Sequence, residues 1–234
     1  KMNSIIFDSG PMISFTTNNL LWLLKPLKER FGGKFYIPAA VKYELVDRPL
    51  MTKKFKFEAI QVMNEVREKN IEIVENDEIK DLTMKLLDLA NNSFKGHNNF
   101  IRLVQYAEME VLASAIIMGA NAVVIDERTT KLFVENPSAL MRILEKRLGT
   151  KIIKEDSKLR EFMKLTEGIK IIRSFELVAV AYEIALPEKF TGKPHRILTT
   201  RTELLDGVLW GLKLHGCAVS EDEINNLIEM ELKK

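Results

Sequence analysis

The sequence predicts an α/β protein: a three-layer α/β/α fold with a mostly parallel sheet of roughly five strands, followed by a helical extension. Three observations predict it. Short apolar runs alternate with longer segments of helical periodicity, two of these runs end in an aspartate, and only helical segments follow from about residue 155. Strands that alternate with helices form parallel sheets covered on both faces. We therefore predict an α/β domain at residues 1–154 and a C-terminal all-helical extension at residues 155–234.

Two strand-helix units open the chain. The run SIIF (4–7) ends at Asp8, and the helical spacing of residues 19–31 stops at a Gly-Gly pair. KFYI (34–37) begins the second unit, and Pro38 suits the first turn of the helix that follows. The order of these segments predicts two parallel strands at the start of the sheet.

The alternation continues through the middle of the chain. Residues 55–69 have helical periodicity, IEIV (71–74) is a third candidate strand, and residues 79–90 form another amphipathic helix. The polar stretch NNSFKGHNN (91–99) is predicted to be a loop.

The stretch AEMEVLASAIIMGANAVVIDE (107–127) is the most distinctive of the chain. Residues 108–118 predict a helix that is apolar nearly all round, and Gly119 suits its end. AVVI (122–125) predicts a strand that ends in Asp126. A helix without a polar face is expected to be buried, so the acids at its start need partners other than water.

The remaining segments predict a fifth strand and the extension. KII (151–153) is the candidate strand, and residues 187–195 are a candidate loop. Ser220 and Glu223 have the capping-box spacing that begins a final helix. The other predicted helices cover residues 128–134, 137–148, 159–165, 175–186 and 202–214.

Composition narrows the classes of function. The formal net charge is only +2, so nucleic-acid binding would need a local basic patch rather than an overall positive field. Cys217 is the single cysteine, which excludes an intramolecular disulfide and favours a reducing compartment. The sequence has no apolar run long enough to cross a membrane and no secretory signal pattern at its start. We therefore expect a cytoplasmic protein without membrane contact.

Five acids are candidate site residues. Asp8 and Asp126 follow predicted strands, and ligands of parallel α/β sheets bind beyond the carboxyl ends of the strands. Glu44 lies on a helix, and Glu108 and Glu110 lie at the start of the buried helix. Each has a structural alternative, namely a turn or helix cap for the aspartates, a solvated face for Glu44, and the helix dipole for the other glutamates. Residues two apart lie about 200° apart around a helix, so Glu108 and Glu110 cannot both face one site.

A cluster of these acids would require a cation. Two carboxylates about 4 Å apart repel each other by ~4 kcal/mol at an effective dielectric constant of about 20. Such a site must bind protons or a hard divalent ion, and oxygen ligands favour Mg²⁺ or Mn²⁺. The three histidines stand far apart in the sequence and the cysteine is alone, so no zinc motif is present.

The order of these motifs resembles that of the PIN-domain ribonucleases. FDSG with Asp8, IPAAVKYEL with Glu44, and AEMEVLASAIIMGANAVVIDERTTKLF are similar to the successive motifs of that family. The resemblance spans residues 4–153. It is closest to the branch whose third motif opens with a Gly-Glu-x-Glu type of stretch, and the helical extension resembles additions in some archaeal members.

The resemblance implies a function and a set of residues. Asp8, Glu44, Glu108 and Asp126 would be the catalytic metal ligands, with Glu110 as a further ligand, around Mg²⁺ or Mn²⁺. Glu108 is preferred over Glu110 because its distance to the glycine that ends the helix matches the third acid of the family. Residues 1–154 would then be a nuclease domain that hydrolyses single-stranded RNA. Some basic residues near the expected strand-end face would suit the RNA backbone, or would equally be a solvated charged surface: Arg48, Lys53, Lys54, Lys56, Arg128 and Lys131.

The principal alternative is a non-catalytic PIN-like module that binds RNA or serves in assembly, for example in RNA processing or ribosome maturation. Toxin-like members of the family act with a cognate inhibitor, so an inhibitor or assembly protein is a candidate partner, and family likeness also suggests a homodimer. A haloacid-dehalogenase type of phosphatase fits poorly, because it needs a second Asp where Gly10 stands. A dinucleotide-binding enzyme lacks its glycine-rich motif here.

Overall fold

A five-stranded parallel sheet forms the centre of the molecule. The computed structural model describes residues 3–185 and 201–233. The strands of this part of the chain are β1 (Ser4–Phe7), β2 (Lys34–Pro38), β3 (Glu72–Val74), β4 (Phe94–Gly96), β5 (Asn99–Phe100), β6 (Ala122–Val124), β7 (Ile153–Lys154) and β8 (Ile171–Ile172). The central sheet has the order β3-β2-β1-β6-β8, and all of its neighbouring strands are parallel.

Helices flank this sheet, so the predicted three-layer α/β/α fold is confirmed. The helices of the described residues are α1 (Ser9–Thr17), α2 (Leu24–Phe31), α3 (Ala39–Lys42), α4 (Arg48–Leu50), α5 (Lys56–Arg67), α6 (Asp77–Asn91), α7 (Tyr106–Met118), α8 (Arg128–Glu135), α9 (Pro137–Leu148), α10 (Asp156–Leu165), α11 (Ser174–Ile184), α12 (Arg201–Leu214) and α13 (Glu221–Leu232). A π-helical turn, Tyr43–Asp47, joins α3 to α4. None of these helices is long and apolar enough to cross a bilayer.

The position of the fifth strand corrects the prediction. Residues 151–153 do not complete the central sheet, because β7 pairs antiparallel with β4 in a separate three-stranded sheet. The fifth strand is β8, which pairs with β6 and lies beyond residue 154. A two-residue strand leaves too short an apolar run for periodicity to reveal. The C-terminal helices α10 to α13 are present, with β8 between the first two.

The stretch predicted as a loop at residues 91–99 contains a small hairpin instead. Strands β4 and β5 pair antiparallel, with Gly96 opposite Asn99. His97 and Asn98 between them both have positive φ, at 49° and 64°, as a two-residue type I′ turn requires. The polar composition of residues 91–99 indicated the turn but gave no sign of the short strands on either side of it. The loop predicted at residues 187–195 lies outside the described residues.

The inner strands and α7 form the centre of the core. All four residues of β1 are buried, as expected for a parallel strand covered on both faces. Helix α7 is buried over most of its length, and Gly119 ends it with a φ of 59°. This helix precedes β6 and runs antiparallel to the strands, so its first turn lies at the edge where the parallel strands end.

The C-terminal segment packs onto this domain. The Arg173 guanidinium donates hydrogen bonds to the Ala218 carbonyl at 2.9 Å and to Glu223 Oε1 at 2.6 Å. Gly211 in α12 lies against Asn18 at the end of α1. The segment after residue 200 is therefore part of the same folded body as the sheet.

A pair of glycine substitutions in α12 tests this packing. Gly207→Ala is expected to raise the free energy of unfolding by about 0.5–1 kcal/mol, the usual cost of glycine in a helix interior. A Cβ at Gly207 meets no atom within 4 Å, whereas a Cβ at Gly211 would lie 2.4 Å from Asn18 Oδ1. Gly211→Ala should therefore raise the free energy of unfolding by less than Gly207→Ala does, or should lower it. Urea denaturation of both variants measures the difference, and equal gains would contradict the packing of α12 against α1.

Candidate functional site

Asp8 and Asp126 follow neighbouring strands of the sheet. Strands β1 and β6 are parallel with Phe7 opposite Val124, and the Asp8 amide donates a hydrogen bond to the Val124 carbonyl at 2.9 Å. Both aspartates therefore lie at the same edge, beyond the carboxyl ends of their strands. This is the position at which parallel α/β sheets bind their ligands.

Asp8 carries a buried carboxylate with an unsatisfied oxygen. The residue is only 6% exposed, and its Oδ1 has no hydrogen-bond partner among the described residues. Burial, together with the negative charges of Glu108 and Glu44, raises the pKa of this carboxyl to about 7. The backbone amides of Ser9 and Gly10 offset only part of this rise. A buried oxygen without a partner is rare in native proteins and calls for an explanation.

Gly10 lies between the two aspartates. A Cβ built on Gly10 would be 3.7 Å from Asp126 Cβ and 3.7 Å from Asp8 Oδ2. Both distances are ordinary van der Waals contacts, so Gly10 is close to both residues. The backbone of α1 thus approaches the strand edge close to both acids.

Glu108 faces the same region from the first turn of α7. Its Oε2 accepts a hydrogen bond from Thr130 Oγ1 at 2.7 Å and from the Gln105 amide at 3.2 Å. Burial raises the pKa of Glu108, and the charges of Glu127 and Glu44 add to the rise. Glu108 is therefore a half-buried acid held in place by one hydroxyl and one amide.

Glu44 supplies the third negative charge of this group. It lies in the π-helical turn between α3 and α4, and its charge raises the pKa of both Asp8 and Glu108. Turns of this kind are rare in helices and frequently occur at functional sites. The structure thus brings Asp8, Glu44 and Glu108 into one electrostatic neighbourhood.

Glu110 belongs to a different neighbourhood. It is buried, and its Oε2 accepts a hydrogen bond from the Ala40 amide at 2.6 Å. Burial raises its pKa, and the charged side chains that act on it are Glu75 and Lys80. Glu110 therefore satisfies a free amide in the first turn of α3. Its contacts give no support to its predicted role as a further metal ligand.

Asp126 is engaged by the C-terminal segment. Its Oδ1 accepts a hydrogen bond from the Ser174 amide and its Oδ2 accepts one from the Ser174 hydroxyl, both at 2.7 Å. The Cys217 thiol donates to Oδ1 at 3.4 Å. Burial raises the pKa of Asp126, and the bonds from Ser174 offset part of the rise. Asp126 thus links β6 to the start of α11.

Sequence reasoning did not find Ser174 and Cys217 near the site. Ser174 begins a helix and Cys217 is a lone thiol, so neither belongs to a motif. Both contact Asp126 from distant parts of the chain. The capping-box spacing at Ser220 was the one local signal nearby, and its box is formed as predicted.

The side chains are not gathered around a metal ion in their present positions. Within residues 3–185 and 201–233, no three His, Cys, Asp or Glu side chains converge closely enough to hold one. Metal binding at this edge would therefore require some of the carboxylates to rotate toward a common point.

No protein-family model matches the chain, and no curated protein is significantly similar to it in sequence. The resemblance to PIN-domain ribonucleases therefore stays a prediction that depends on the sequence motifs around Asp8, Glu44 and residues 107–133.

Asp8→Asn is expected to stabilise the protein at neutral pH in the presence of a chelator. The pKa of Asp8 rises from 3.8 to about 7 on folding, so the folded protein holds an extra proton between these values. The stability from this protonation is complete below pH 3.8 and is lost as the pH rises through 7, by on the order of 4 kcal/mol. Asparagine does not titrate, so this decline should flatten. Urea denaturation at about pH 5 and pH 8 measures it.

Asp126→Ala is the contrasting variant. It removes the acceptor of the buried Ser174 amide and hydroxyl, which is expected to cost about 1–3 kcal/mol at either pH. If Asp8→Asn were as destabilising as Asp126→Ala at both pH values, Asp8 would be a hydrogen-bonded structural residue rather than an uncompensated charge.

Proposed function

We propose that the protein is a metal-dependent endoribonuclease of the PIN type, which hydrolyses RNA phosphodiester bonds with Mg²⁺ or Mn²⁺. The single observation that carries the proposal is the buried carboxylate of Asp8. One of its oxygens has no partner among the described residues, and the charges of Glu108 and Glu44 oppose its ionisation. A divalent cation would satisfy that oxygen and neutralise the three acids together.

The chemistry of the donor set suits such an ion. Asp8 and Glu108 would be its principal ligands, Glu44 would lie near it, and Asp126 would complete the set from the adjacent strand. All are carboxylates, which are the ligands that Mg²⁺ and Mn²⁺ prefer. The site lies at the carboxyl edge of the strands, which is where ligands of such sheets bind.

In the proposed site, some residues would hold the ion and others would orient the ligands. A bound ion supplies Lewis acidity, lowering the pKa of water and neutralising charge on a phosphodiester. Thr130 fixes the orientation of the Glu108 carboxylate, and Ser174 fixes that of Asp126. Such contacts behind a ligand commonly affect metal affinity by about 10–100-fold. No side chain is required to act as a covalent nucleophile.

The nuclease proposal also specifies surroundings and partners. Single-stranded RNA is the proposed substrate, because its backbone is accessible and flexible enough to enter an edge site. The cytoplasm is the proposed location. A cognate inhibitor or assembly protein and a second copy of the chain are the candidate protein partners.

A specific observation favours a second candidate function. Both oxygens of Asp126 already accept hydrogen bonds from Ser174, and the acids of the described residues are not gathered at metal-binding distances. Those features suit a PIN-like scaffold that binds RNA or serves in assembly without catalysis. In that case Asp126 would serve only to attach α11 to the sheet.

Cleavage of labelled single-stranded RNA tests the proposal. The wild-type protein should cleave with Mn²⁺ or Mg²⁺ and stop when a chelator is added. Asp8→Asn and Glu108→Gln should each reduce the rate by about 100-fold or more, since even residues behind a ligand contribute about 10–100-fold. Activity that survives unchanged in both variants would come from a contaminating nuclease and would refute the site.

Glu110→Gln is the matched control for Glu108→Gln. Both glutamates lie in the first turns of α7, but Glu110 accepts a hydrogen bond from the Ala40 amide. The side-chain oxygen of a glutamine can accept the same hydrogen bond. This variant should keep most of the activity. Manganese binding, followed by electron paramagnetic resonance, gives a readout that does not depend on cleavage. Titratable binding that disappears in Asp8→Asn but persists in Glu110→Gln is expected, and its absence from the wild-type protein would favour the non-catalytic scaffold.

A further inference from the structure

An exposed surface of lysines and phenylalanines includes Phe55, which lines one cleft together with Glu44. All five residues of the sequence KKFKF at positions 53–57 are exposed, and the segment follows α4 and runs into the first two residues of α5. Phe57 is 67% exposed and Phe55 is 49% exposed. Large apolar rings are normally removed from water, so two of them in five exposed residues need an explanation. We call this segment the KKFKF surface.

The backbone holds this segment in an unusual conformation. Phe55 has a φ of 62°, in the left-handed region that bulky residues rarely adopt. The Thr52 hydroxyl lies within hydrogen-bond distance of the carbonyls of Pro49, at 3.1 Å, and Lys54, at 3.0 Å, and can donate to either of them. The Ala59 amide donates to the Phe55 carbonyl at 3.0 Å. The aromatic rings are therefore presented by an ordered turn, and strained conformations of this kind cluster at functional sites.

The lysines of this surface form no salt bridge with an acid of residues 3–185 or 201–233. The same is true of Arg48 within these residues. The Lys54 ammonium instead lies 4.7 Å from the centroid of the Phe55 ring. The segment thus combines positive charge with exposed aromatic faces.

A cleft extends from Phe55 of the KKFKF surface to Glu44. Phe55 and Glu44 line the same cleft, whose volume is about 140 Å³, together with Ile13 and Val62. Glu44 is also the residue whose charge acts on Asp8 and Glu108. A ligand that lies on Phe55 can therefore extend along this cleft as far as Glu44.

We propose that the KKFKF surface binds a single strand of nucleic acid, with bases stacked on Phe55 and Phe57 and with backbone phosphates beside Lys53, Lys54 and Lys56. Every base has an aromatic face, so stacking of this kind accepts any sequence. The lysines contribute charge that phosphates complement. This inference rests on the proposed function for its orientation toward the acids, but binding itself requires no metal.

The charges favour a nucleic acid over a protein partner. The centres of protein interfaces are depleted of lysine, whereas this surface has a lysine on each side of Phe55 and another before them. Exposed aliphatic residues of α5, such as Ile60 and Met63, lie beyond the segment and are the features that a protein partner would use. A dimer through this face is the competing outcome, and binding and sedimentation experiments separate the two.

Binding is measured in the presence of a chelator, by fluorescence anisotropy of labelled oligouridine and oligothymidine about 12 nucleotides long, a length within the range of strand-binding sites. Phe57→Ala should weaken binding by about ten-fold, the usual contribution of one stacked base. Phe55→Asn should do the same while keeping the left-handed backbone, which asparagine tolerates. Comparison of the two oligonucleotides shows whether the site takes RNA, DNA or both.

Salt dependence identifies the role of the lysines. Replacing Lys53 and Lys56 together by glutamine should reduce the slope of log affinity against log salt by about 0.7 for each phosphate that the protein no longer neutralises. Phe57→Ala should leave this slope unchanged, because stacking releases no counterions. A general loss of folding would not change the affinity and the salt-dependence slope independently of each other.

Phe100→Ala is the matched control. Phe100 is 48% exposed and has a lysine over its ring, with Lys95 Nζ 4.4 Å from the centroid, but it lies in the small antiparallel sheet. This variant should bind both oligonucleotides as the wild-type protein does. The proposal is wrong if Phe57→Ala weakens binding no more than Phe100→Ala does. It is also wrong if Phe57→Ala dissociates a dimer in sedimentation while the affinity for both oligonucleotides is unchanged.

The outcomes also separate this inference from the nuclease proposal. Wild-type binding that depends on Phe57, without cleavage in Mn²⁺ or Mg²⁺, would support the KKFKF surface and refute the nuclease. Metal-dependent cleavage with normal affinity in Phe57→Ala and Phe55→Asn would support the nuclease and refute the surface. Failure of the wild-type protein to bind either oligonucleotide would refute the surface.

Discussion

Burial of negative charge at one edge of the sheet is the constraint on which the site depends. Pairing of β1 with β6 places two aspartates beside each other, and α7 brings Glu108 to the same edge. The structure compensates these acids unequally. Asp126 receives two hydrogen bonds from Ser174 and Glu108 receives one from Thr130, whereas Asp8 keeps an oxygen without a partner among the described residues. Asp8 is therefore the acid whose unpartnered oxygen the proposed cation would satisfy.

The parts of the fold that could be predicted are those with a local pattern. Apolar runs indicated the four longest strands of the central sheet, and the apolar sequence of α7 indicated its burial. Asp8 and Asp126 could be placed at one edge because parallel strands end together. Strand β8 could not be predicted, because two isoleucines have no periodicity and its place in the sheet depends on pairing with distant residues.

The candidate site was predictable in position but not in the roles of its residues. Helical geometry required Glu108 and Glu110 to point in different directions, but only the tertiary contacts with Thr130 and Ala40 show where each one points. The hydrogen bonds of Asp126 depend on Ser174, which lies 48 residues away in the sequence. The exposure of Phe55 and Phe57 likewise depends on what the rest of the chain leaves uncovered.

The position of strand β8 affects where the chain can be truncated. A polypeptide ending at residue 154 would keep all the proposed acids but would lose the hydrogen-bonding neighbour of β6 and both groups that hold Asp126. The bare edge of β6 would then be open to pairing with other chains, a common route to aggregation. A polypeptide that keeps the β8 neighbour of β6 and the hydrogen bonds to Asp126 must therefore extend past Ser174 at the start of α11.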